Sequence, residues 1–124
     1  MRVVIVSTIL VISAAGLAAE VHVPALDVEK SCRSVASLAV GQVSPQKCIE
    51  QEMSARTELQ KGWSAFGAGD RERCTALTVA AGNPSYIELL SCVQMARDAR
   101  DLERQYQKET GQKCPEPLSC PPKN

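Results

Sequence analysis

Six cysteines, at positions 32, 48, 74, 92, 114 and 120, limit this 124-residue chain more than any other feature. A chain of this length argues for one domain at most. Its supply of large rings is small: Trp63, Phe66, Tyr86 and Tyr106 are the only Phe, Trp or Tyr residues. Aromatic side chains bury the most area per residue, so the core is expected to be thin and built from Leu, Val, Ile, Met and Ala. Small exported domains with thin cores are commonly stapled by disulfides. The spacing speaks against other cysteine chemistry. Metal sites usually show cysteines two to four residues apart, often with histidine, whereas here no such pair occurs and the single histidine is His22. A Cys-x-x-Cys redox motif is absent as well. Cys32, Cys48, Cys74, Cys92, Cys114 and Cys120 therefore read as a structural framework, with no metal or cofactor implied.

Residues 1–19 read as an export signal. Arg2 supplies the positive start, and Val3 to Ile12 is an apolar run with Ser7 and Thr8 as mild interruptions. Ala14-Ala15-Gly16-Leu17-Ala18-Ala19 is the small-residue stretch at which signal peptidase cuts. Cleavage is expected after Ala18 or Ala19, with Ala19 preferred, and the product is expected in the periplasm or secreted. As a membrane anchor the segment is barely long enough, since a span needs about 20 apolar residues. No span is expected in the mature chain. Cleavage removes Arg2 and no acid, leaving one basic residue fewer than the 14 Lys+Arg of the full chain against 14 Asp+Glu. That near-neutral balance does not suggest nucleic acid or an anionic membrane surface as the main partner.

Period and punctuation predict an all-α domain over 20–111: a disulfide-stapled bundle of about four helices, one of them short. The first helix is expected from about Asp27 to Val40, with Val28, Cys32, Val35 and Ala39 on one face, Asp27 as cap and Gly41 as stop. The second opens at Ser44-Pro45, where serine caps and proline takes the first helical position. It carries Ile49, Met53, Leu59, Trp63 and Phe66 and ends at Gly67. Gly62 weakens its last turn by about 1 kcal/mol relative to Ala. The short third helix spans about Asp70 to Ala80 with Asp70 as cap. The fourth opens at Asn83-Pro84-Ser85, where Ser85 and Glu88 form a capping box. Its apolar stripe is Tyr86, Leu89, Leu90, Val93, Ala96, Ala99, Leu102 and Tyr106, and Gly111 ends it. Residues 112–124 hold four prolines and two cysteines six positions apart, and read as an irregular tail with a closed loop.

Helix geometry prunes the 15 pairings that six cysteines allow. If the third and fourth helices form an antiparallel hairpin turning near Gly82, Cys74 and Cys92 both lie about 10–13 Å from the turn at ~1.5 Å rise per residue. They then share a level, as a disulfide requires. Cys48 with Cys74 fails the same test by roughly 20 Å. Cys32 with Cys48 remains for the body and fits best if the first helix ends near Leu38. Cys114 with Cys120 completes the set.

No catalytic residue emerges. Glu50, Glu52 and Glu58 do not share one helix face and read as solvated. His22 reads as a mobile surface residue of an N-terminal arm. Trp63 and Phe66 read as core or hinge packing rather than a platform. Arg97, Asp98, Arg100, Asp101, Glu103, Arg104, Lys108 and Glu109 read as a solvated face with mixed-sign pairs. Gly67-Ala68-Gly69 has neither the preceding strand nor the following lysine of a phosphate loop.

Lys30-Ser31-Cys32-Arg33, Cys48, Ala55-Arg56 with Leu59, Trp63 and Phe66, Asp70-Arg71 with Cys74, and Pro84-Ser85-Tyr86-Ile87-Glu88-Leu89-Leu90-Ser91-Cys92 with Met95 form a pattern. Over about residues 28–98 it resembles a group of short exported alphaproteobacterial proteins. The resemblance implies a periplasmic or secreted location, four framework cysteines and no catalytic residues; Cys114 and Cys120 depart from it. Two functional readings follow. One is a non-enzymatic interaction or envelope-stress protein with a protein partner in the cell envelope. The other is an enzyme inhibitor or a small enzyme whose site one sequence does not display. An exposed apolar helical groove favours the first, and a pocket lined with titratable groups favours the second.

Overall fold

The computed structural model describes residues 21–38 and 44–113. An extended arm, 21–27, leads into α1 (Val28–Leu38); α2 (Pro45–Gly62) closes in a 3-10 turn, Trp63–Ala65; α3 (Ala68–Ala80) and α4 (Tyr86–Thr110) follow. Among the described residues there is no strand. Several of the expected starts and stops hold. Asp27 Oδ1 accepts from Lys30 N (3.1 Å) and Ser44 Oγ from Lys47 N (3.2 Å). Gly111 ends α4 at φ 69°, and its N–H returns to Gln107 O. The expected stop of α1 at Gly41, the signal segment and the Cys114/Cys120 loop lie outside the described residues.

One start and one stop differ from expectation. Gly67, not Asp70, precedes α3, and Asp70 sits inside its first turn, with its N–H on Gly67 O at 3.1 Å. The α-helical part of α2 stops at Gly62, so Trp63 belongs to the 3-10 turn and Phe66 to the extended residue behind it.

α2 packs on α4, α1 on α2 and α3 on α4. Glu52 meets the start of α4, while Phe66, beyond the end of α2, meets Arg97 farther along it. α2 and α4 therefore run parallel, and α3 is the return between them. Both body disulfides form as their levels require, Cys32–Cys48 and Cys74–Cys92, each with a Cα separation of 5.7 Å. Each closes a loop worth about 3 kcal/mol in the chain-entropy model.

The core follows the composition argument at its centre and adds to it at its edge: Leu59, Leu89, Val93 and Cys74 are fully buried, with Val28 and Ala55 beside them, and Trp63, Phe66 and Tyr86 are buried around them. Met53, Ile87 and Met95 are exposed, as are Val35 and Leu102. The last two sit on helix ends that outrun their neighbours. Val35 lies a turn beyond Cys32, which is tied to Cys48 in the first turn of α2. Leu102 lies beyond Arg100, the residue that meets the corner between α2 and α3. From there α4 continues for about 15 Å.

Candidate functional site

The most built polar feature is the seam between α2 and α4. Glu52 shares a face with Ala55, Leu59 and Trp63, at steps of three, four and four, so folding carries its carboxylate inward. It is 7% exposed. Ser85 Oγ donates to it at 2.7 Å, Tyr86 N at 2.6 Å and Ile87 N at 3.3 Å. The first N–H groups of a helix have no partner within the helix, and a negative charge there is favoured by the helix dipole. Glu52 therefore caps α4 from a different helix. The expected capping box is half right: Ser85 Oγ accepts from Glu88 N at 3.2 Å. The carboxylate at this terminus is that of Glu52, which takes Tyr86 N and Ile87 N and is not solvated.

With its N–H held by Glu52, Tyr86 reaches across to the arm. Its hydroxyl donates to Pro24 O (3.1 Å) and accepts from Leu26 N (2.9 Å). Val23 and Leu26 pack against the core, and Ser31 Oγ donates to Pro84 O at 2.9 Å. The arm is thereby laid along α2 toward Trp63. His22 is exposed, as expected, but its arm is docked rather than loose.

Beside Trp63 the arm and α3 flank a shallow open cleft of about 470 Å³, mostly apolar, lined by Val21, Pro24, Trp63, Ala76 and Val79, with Thr75 and the charged residues Arg71 and Glu72 at its polar positions. A second, more polar cleft of about 390 Å³ is lined by Val21, His22, Val23, Arg56, Gln60 and Trp63. Val21, His22 and Trp63 belong to both, so the two clefts adjoin around the arm. Val21 and Val79 are more than half exposed here.

Each core aromatic is covered from outside by an arginine. Arg56 lies 5.7 Å from the centre of the Tyr86 ring, Arg71 5.8 Å from Trp63 and Arg97 5.8 Å from Phe66. These are cation–π distances. Arg71 also donates to Trp63 O at 3.0 Å, satisfying a carbonyl at the end of the α2 segment. Asp70, 8% exposed, holds Arg73 at 3.0 Å and pairs with Arg100. Arg100 passes so close to Gly67 that a Cβ there would fall 2.8 Å from its Nη1. Arg97 and Arg100 are thus not merely solvated, while the expected Asp101–Arg104 pair does form on the open face. Spacing to the buried positions of their own helix would have marked Glu52 and Arg56. Nothing in the sequence marks the docked arm.

Among the described residues no group of three or more His, Cys, Asp or Glu side chains is placed to hold a metal ion. Nor is any described helix long and apolar enough to cross a membrane. Compared with family models, with curated proteins and with solved structures, the chain matches none.

Proposed function

We propose that this chain is an exported, disulfide-stapled binding protein of the cell envelope that engages a protein partner through the face formed by the arm, Trp63 and α3. The observation that carries the reading is the cleft itself. Exposed apolar side chains from two segments distant in sequence, Val21 and Val79, flank one indole. Polar groups of a second cleft converge beside them. Apolar side chains exposed together in a cleft and rimmed by polar groups fit an interaction site. Its open shape suits a side-on segment better than an engulfed small molecule. Two disulfides in the body and the Arg2, Val3–Ile12, Ala18-Ala19 arrangement support export to an oxidising compartment.

The test is affinity capture from envelope extract with the mature, oxidised protein as bait, run in parallel with Ala76→Arg. Ala76 is exposed and lines the cleft, so arginine there fills it without touching the core. The expected result is a partner retained by the wild type and lost by A76R at unchanged melting temperature. Equal retention by both baits refutes the assignment to this face. Intact mass of the exported protein is expected to place its N-terminus at Ala19 or Glu20; a full-length mass in the membrane fraction refutes export.

A further inference from the structure

We infer that the ligand seated at this face is an extended protein segment carrying a carboxylate side chain between apolar residues, the carboxylate being taken by Arg56 and Arg71. The inference rests on the reading of the cleft as a binding site and adds the chemistry of what it binds. The two guanidinium groups belong to adjoining clefts that share Trp63. Among the described residues neither has a carboxylate within 4.0 Å, whereas Arg33, Arg73, Arg97, Arg100 and Arg104 all do. Both unpaired arginines are held half-buried by stacking on a ring. That fixes them in place and lowers the ordering cost of a further hydrogen bond.

Arg56 carries a second mark. Its Nε is buried and makes no hydrogen bond. A buried donor without a partner is costly and calls for an explanation. A ligand carboxylate seated beside the guanidinium supplies an acceptor at the place where the protein supplies none. Arg71 uses Nη1 on Trp63 O, leaving its remaining N–H groups for a ligand. The fork of arginine matches a carboxylate in bidentate geometry. The apolar lining beside it, with Val79, Ala76 and Pro24, takes the flanking side chains.

Trp63 is the only tryptophan in the chain and lines both clefts, so its fluorescence reports the site directly. The probes are three blocked pentapeptides of Leu and Val with a central Glu, Gln or Lys, titrated into the mature oxidised protein. The Glu peptide is expected to give a saturable Trp63 response and to bind at least about tenfold more tightly than the Gln peptide. The preference is expected to shrink in Arg56→Gln and in Arg71→Gln, and to weaken between 0.05 and 0.5 M salt, taken as convenient screening extremes of roughly 14 and 4 Å. Arg71→Lys keeps the charge, so it separates lost recognition from lost folding: partial recovery of the preference is expected.

Equal binding of the Glu and Gln peptides overturns the inference. So does a preference untouched in both arginine variants that still melt like wild type. A Trp63 response to phosphatidylglycerol vesicles with none to any peptide overturns it too, in favour of a lipid surface. Affinity capture with A76R is independent of these peptides. A partner lost by A76R alongside a failed peptide preference means that the face binds but the carboxylate chemistry is wrong.

Discussion

Replacing Glu52 tests how the bundle is joined, because one side chain of α2 there serves three donors of α4. In Glu52→Ala, Ser85 Oγ, Tyr86 N and Ile87 N all lose their acceptor. A hydrogen bond to a charged group contributes about 1.5–3 kcal/mol, and a buried N–H left unpaired costs about 1–3 kcal/mol. These contributions are not additive, and water reaches the less buried donors, so the net loss is placed at about 3–5 kcal/mol. For a domain of this size each kcal/mol lowers the melting temperature by about 4–8 °C, so E52A is expected to melt at least ~12 °C below wild type. Glu52→Gln keeps one carbonyl acceptor but turns an NH2 toward the other donors, and about 1–2 kcal/mol is expected from the loss of a charge-assisted bond. Glu88→Ala is the control: Glu88 is exposed on the same turn and only its backbone is engaged. It should cost under about 1 kcal/mol, the size of an exposed helix-dipole interaction. Thermal and urea unfolding followed by circular dichroism give the three values. Amide exchange at Tyr86 and Ile87 shows whether the damage is local. If E52A melts within 3 °C of wild type, a threshold set at about half the effect of 1 kcal/mol, the capping account is wrong.

Opening Cys74–Cys92 by a double Cys→Ala change is expected to cost about 2–5 kcal/mol and to release α3. The corresponding change at Cys114 and Cys120 should cost much less, because that loop is short; equal losses in thermal melting would show the tail to be part of the folded body. Tyr86→Phe removes the hydroxyl that holds Pro24 and Leu26, and about 1–2 kcal/mol is expected. Protease cleavage within 21–26 should accelerate, and an unchanged rate would mean that the arm is held by packing alone. Arg100→Gln leaves the Asp70 carboxylate with Arg73 only. Because Arg100 is 38% exposed, the expected loss is discounted to about 1–2 kcal/mol, read by chemical denaturation.

Features governed by neighbours in sequence were legible before the structure. Ser44, Asp27, Ser85 and Gly111 act within a few residues of themselves, so caps and stops could be placed from the chain alone. The two body disulfides followed as well, because rise per residue is a property of any helix. Periodicity names a face but not how far the neighbouring helix reaches, which is why Val35 and Leu102 fit their stripes and are nonetheless exposed. Among Glu50, Glu52 and Glu58 no shared face appears, and only the steps from Glu52 to Ala55 and Leu59 mark its carboxylate as inward. The arginines were hidden because an arginine on a polar face looks solvated until the ring beneath it is known. The arm has no period to detect, and its position depends on one hydroxyl that lies 60 residues from Leu26.

The claim that a partner docks against the arm, Trp63 and α3 is tested most directly by site-specific photo-crosslinking in living cells. A photoreactive residue at position 76, in the cleft, is compared with one at position 108, exposed near the far end of α4. The account predicts a discrete crosslinked species from position 76 that disappears when Thr75 on the same cleft is changed to Arg, and none from position 108. A species formed equally from both positions, or one that survives Thr75→Arg unchanged, would contradict it.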